Sequence, residues 1–140
     1  MNPMQISLVQ NSWRQVLPIR DQAAALFYGR LFELDPALRA LFRHDMTEQG
    51  RKLTAMINIA VNGLDDLSSL VPAVQDLGRR HVRYGVTEHH YSVVGAALLW
   101  TLQQGLGSAF TADVHDAWAA TYEVLANTMK HAAAAEPVSA

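Results

Sequence analysis

Apolar side chains recur at intervals of three and four residues along almost the whole chain, and no stretch alternates apolar with polar residues between turn signals. That spacing keeps apolar residues on one stripe of an α-helix, whereas a half-buried strand needs a period of two. The chain is therefore restricted to an all-α fold. Ile6, Val9, Trp13, Val16 and Leu17 mark a first helix over about 5–18, which Pro18 ends. Ala24, Phe27, Tyr28, Leu31 and Phe32 mark a second over about 20–34, with Tyr28 inside its apolar stripe.

Asp35-Pro36 carries an acceptor side chain followed by a proline whose missing N–H costs nothing at a helix start, so a short segment opens there and closes near Phe42. After a polar corner, a long helix over about 47–62 presents Leu53, Met56, Ile57, Ala60 and Val61 on one face, with Gln49 one turn before Leu53 on that same face. A loop with Asp65, Asp66, Ser68 and Ser69 leads to a helix over about 71–84 whose inner face is Val74, Leu77, Gly78 and His81. Gly85 suits a left-handed C-terminal residue and Thr87 a cap for the next helix, over about 88–106. A last helix from Thr111 to about 132 carries Val114, Trp118, Thr121, Tyr122, Leu125 and Met129 inward. One domain over 1–132 with a frayed tail over 133–140 is expected.

Composition removes several functional classes. The chain of 140 residues has no cysteine, so disulfides, zinc–thiolate sites, iron–sulfur clusters and thiol nucleophiles are out. A net charge of -2 gives no electrostatic footprint for nucleic acid or an anionic membrane. The opening MNPMQISLVQNSW shows no basic leader before an apolar block, and the uncharged stretch 91–112 is interrupted by Thr101, Gln103 and Gln104. A cytoplasmic protein with no membrane span is expected.

Three inward polar residues remain that a plain core would not choose: Tyr28, Gln49 and His81. Taken singly, each has an ordinary explanation. A lone buried histidine is more often satisfied by a carbonyl than bound to a metal, a tyrosine in a stripe is usually core, and an inward glutamine near a helix start often serves the local backbone. Other chemistries lack their first requirement. Neither Glu-x-x-His nor His-Glu-x-x-His occurs, no phosphate-binding glycine loop follows a strand, and His89 and His90 are neighbours that point about 100° apart on a helix.

The ordered set LFYGRLFELDP with Tyr28, LF with Phe42, EQGRKL with Gln49 and Leu53, LGRRHVRYGV with His81, HYSVVG with Tyr91, and AWAATYEVLAN resembles the bacterial globins, both single-domain bacterial haemoglobins and the globin domain of flavohaemoglobins. Phe42 lies 14 residues after Tyr28, His81 lies 32 after Gln49, and Tyr91 lies 10 after His81, each as in that family. The resemblance implies a globin fold of about seven helices, three over three, around one haem b (iron protoporphyrin IX).

It also implies roles. His81 becomes the axial iron ligand, Phe42 the stacked wedge against the porphyrin, and Leu53 and Val94 apolar bulk on the two faces. Tyr28 and Gln49 become distal donors to a ligand at the iron. His44, Lys52 and His90 edge the pocket near the haem propionates. His81 is expected to donate its other ring nitrogen to the carbonyl near Leu77. Tyr91 matches a proximal tyrosine of the family, but aligning on Trp118 puts Ala133 where the accompanying glutamate would stand, and Glu123 is not its equivalent.

A reversible binder of dioxygen, and of CO and NO, is the reading these residues favour. The alternatives are a nitric oxide dioxygenase served by a separate reductase, since the chain is expected to carry no flavin or nicotinamide module, and a haem-free helical interaction module. A monomer or weak homodimer is expected.

Overall fold

Asn2 opens the first helix with a reciprocal cap: its Oδ1 accepts from the Gln5 amide at 2.8 Å while the Gln5 side chain accepts from the Asn2 amide at 3.3 Å. The computed structural model describes residues 1–42 and 45–135, apart from the side chains of Arg83 and Ala135. Among these residues six α-helices and no strand are present: α1 Pro3–Val16, α2 Arg20–Leu34, α3 Met46–Asn62, α4 Leu67–Arg83, α5 Glu88–Leu106 and α6 Ala112–Ala135. The seventh expected segment is there as a 3₁₀ helix, Pro36–Leu41, whose Asp35 cap accepts from the Ala37 amide.

Two boundaries differ from the expectation. α4 begins at Leu67, before the Asp/Ser-rich stretch expected as loop has ended, and carries Pro72 inside it. The hydroxyls of Ser68 and Ser69 donate to the Asp66 carboxylate at 3.1 and 2.7 Å, so these turn-forming side chains are satisfied without breaking the helix. Leu70 and Val74 are meanwhile buried, and that burial offsets the one ladder bond Pro72 forgoes. At the other end α6 continues through 133–135, and 136–140 lie outside the described residues.

α4 and α1 pack on α6, α3 packs on α2, and α5 is neighbour to both α2 and α6. One core cluster joins α1 to α6. There Trp13 and Trp118 meet edge to face at 6.1 Å, the Trp118 indole N–H donates to Ser12 Oγ at 2.8 Å, and the Trp13 indole N–H donates to Asn58 Oδ1 at 3.0 Å. The other two clusters lie apart from it, one around Tyr28 and one around Tyr91.

Candidate functional site

The stripe of α2 buries Phe27, Tyr28 and Leu31. α3 reaches that stripe because of Gly50, where a Cβ would stand only 3.0 Å from the Ala24 Cβ. This close crossing puts Gln49 and Leu53, which flank Gly50 on α3, on the Tyr28 side. Tyr28 is 7% exposed, with its ring edge-on to Phe27 at 5.0 Å and to Phe42 at 5.3 Å. Phe42 in turn meets Phe32 at 5.6 Å, and Leu53 and Val94 pack into the same cluster.

Burial raises the Tyr28 phenol above its ordinary value, and a hydrogen bond with the Gln49 side chain offsets part of that rise. The phenol therefore keeps its proton at neutral pH. The result is a polar pair set into an otherwise apolar, aromatic-walled cluster.

His81 lies near the end of α4, and the chain after it is locked. Gly85 has φ 84°, the left-handed region that glycine enters without steric cost, so the Gly85 amide reaches the Val82 carbonyl and the Val86 amide reaches the His81 carbonyl, both at 3.0 Å. This double bond pattern is a Schellman cap. The His81 ring is half-buried and meets the Tyr91 ring edge-on at 6.2 Å. Burial first, and the neighbouring Arg80 charge second, lower its pKa, so the imidazole is neutral at neutral pH.

The expected hydrogen bond from His81 to the Leu77 carbonyl is not made. His81 Nδ1 is buried with no partner, a property shared among the described residues only with Arg30 Nε. The Arg30 guanidinium otherwise stacks over Trp100 at 5.2 Å. Leaving a buried polar nitrogen unmet costs about 1–3 kcal/mol. Among the described residues no group of three or more His, Cys, Asp or Glu is arranged to hold a metal. One neutral imidazole on a rigid helix end fits a haem iron, because the porphyrin itself supplies the iron's four nitrogen donors.

The remaining expected residues fall as follows. Lys52 is exposed and, with Asp45, Glu48 and Gln49, lines a cavity of about 250 Å³ beside the Tyr28 cluster. His90 is half-buried, and its Nδ1 accepts from the Thr87 amide at 3.0 Å, so it caps α5. His44 lies outside the described residues. Val94 packs with Tyr28 and Leu53 rather than with the cluster around Tyr91.

Tyr91 itself is buried, and its carbonyl accepts from the Tyr122 hydroxyl. Ala133 and Tyr91 line one cavity. Sequence reasoning missed Lys130, whose ammonium lies over the Tyr91 ring at 5.5 Å and 3.8 Å from Glu88. Its one signal was a lone cation directly after Met129 at the end of an apolar stripe.

A family model described as Globin matches residues 25–129, and the chain belongs to the globin family; it is a haem-binding, gas-binding globin. It is similar to neuroglobin of Danio rerio, at 32% identity over 136 residues covering 87% of this chain and 86% of the relative. Neuroglobins of Tetraodon nigroviridis and Chaenocephalus aceratus match at 34% and 33% over the same shares. These relatives are vertebrate proteins. Among the described residues no helix is long and apolar enough to cross a membrane.

Proposed function

We propose that this globin is of the bacterial type and reversibly binds dioxygen, and also CO and NO, at a haem b held by His81, with Tyr28 and Gln49 as distal donors. The observation that carries this reading is the buried Tyr28 phenol, which keeps its proton beside Gln49 in an aromatic-walled cluster. A bound haem would supply an iron that takes one diatomic molecule. Tyr28 and Gln49 then direct hydrogen-bond donors at the bound molecule, where the low surrounding polarity strengthens them. Phe42 offers an aromatic face to the porphyrin, while Lys52 and His90 stand at the rim as partners for its carboxylates. Residues 1–132 act as one cytoplasmic domain.

A nitric oxide dioxygenase with an external reductase is the second reading, favoured by the edge-on contact of Tyr91 with His81. Against it, the groups beside Tyr91 are Ala133 and the cation Lys130. Neither supplies the carboxylate that would push electron density toward the His81 imidazole. The carrier reading is therefore the stronger.

The test is to purify the chain with haem supplied and record its ferrous spectra under nitrogen and under oxygen. The account expects a five-coordinate deoxy form that converts reversibly on oxygenation. An irreversible conversion to the ferric form on first contact with oxygen contradicts the carrier role. Sustained nitric oxide consumption with a cellular reductase favours the second reading.

A further inference from the structure

Tyr91 also borders a cavity of about 760 Å³ whose lining includes neither His81 nor Tyr28. It lies where the start of α5 meets the last turns of α6, within the size range of small-molecule sites. The small side chains of Ala133 and Ala134 on α6 leave part of this space open.

The walls divide by chemistry. Val86, the Tyr91 ring and Ala133 form an apolar floor, and Asn127, Lys130 and His131 stand together on α6 at spacings of three and four residues, which place them on one face. Lys130 is partly withdrawn from water, with 29% of its side chain exposed, so its charge favours an anion at short range. Its present partner is Glu88, 85% exposed and 3.8 Å away. An exposed pair of that kind contributes little and is readily exchanged for a better-placed carboxylate.

We propose that this cavity is an effector site for a small carboxylate with an aromatic or short aliphatic body. The carboxylate replaces Glu88 on the Lys130 ammonium and accepts from the Asn127 carboxamide, with His131 at the edge. The apolar body lies against Tyr91 and Ala133. Because the Tyr91 ring is also edge-on to His81, occupancy is felt on the proximal side.

Benzoate is the probe. It is titrated into the full-length, haem-loaded, CO-saturated protein, isotopically labelled, with the amides of Asn127, Ala133 and Ala134 and the Tyr91 ring followed by NMR. CO occupies the iron, so carboxylate ligation there is blocked, and the α6 amides report binding whatever the haem spectrum shows. Saturable shifts of these resonances are expected. Lys130→Gln should weaken binding about tenfold or more, the loss of one charge-assisted bond. Ala133→Leu should abolish it by filling the space.

Glu88→Gln should tighten binding, a gain that no unfolded variant can give. Absence of saturable shifts at millimolar benzoate overturns the proposal. So does retention of wild-type affinity in Lys130→Gln, or weaker binding in Glu88→Gln.

Discussion

Replacing Tyr28 by Phe removes one oxygen and leaves the ring where it is. The ring is held edge-on by Phe27 at 5.0 Å and by Phe42 at 5.3 Å, contacts that a phenyl group keeps. What is lost is the donor to the bound molecule and the bond with Gln49. Dioxygen on ferrous iron carries partial negative charge, so the lost bond belongs to the charge-assisted class, about 1.5–3 kcal/mol. At about 1.4 kcal/mol per factor of ten, the dissociation rate should rise about 10- to 150-fold.

Stopped-flow mixing of the oxygenated protein with excess CO measures that rate directly. CO carries less charge, so its own release, followed by displacement with NO, should change far less. A Tyr28→Phe dioxygen dissociation rate within twofold of wild type would refute the distal role. The sign of the pH dependence follows from burial: the Tyr28 pKa is raised on folding, so its stabilising contribution is fully present below the ordinary phenol value of about 10 and is lost as pH rises through the higher folded value. The dissociation rate should stay flat through pH 9.

Gly50→Val should cost about 1–3 kcal/mol in urea unfolding, because its side chain meets Ala24 and forces α2 and α3 apart, and it should raise the dioxygen dissociation rate by separating Gln49 from Tyr28. Gly85→Ala places a Cβ at φ 84° and should cost about 1–2 kcal/mol by the same measurement, with faster haem transfer to a high-affinity acceptor because the cap after His81 loosens. Ser12→Ala leaves the indole N–H of Trp118, a residue 2% exposed, without its acceptor and should cost about 1–3 kcal/mol, while dioxygen binding stays unchanged because that cluster lies apart from Tyr28.

Periodicity located the six α-helices because each buries a continuous stripe, which is a property of local spacing, and the Asp35-Pro36 start signature located the Pro36–Leu41 segment. It missed the early start of α4, since Ser68, Ser69 and Pro72 read as breakers until Asp66 is seen to gather both hydroxyls. The inward placement of Tyr28, Gln49 and His81 was legible for the same local reason, but the crossing that joins Gln49 to Tyr28 depends on Gly50 meeting Ala24, a long-range contact. His81 Nδ1 is unpaired against expectation, because the orientation of a ring at a helix end is set by its packing and not by sequence spacing. The Lys130–Tyr91 stack was invisible because it joins α6 to α5, and a single cation in a sequence says nothing of what it covers.

The central claim is that the neutral, half-buried imidazole of His81 holds the haem iron. It is tested most directly by recording the ferrous absorption spectrum of His81→Gly, haem-loaded, without and with added imidazole. The account predicts that the wild-type five-coordinate deoxy spectrum is lost in the variant and returns when imidazole fills the space left by the side chain. A variant whose deoxy spectrum matches wild type without imidazole would contradict it.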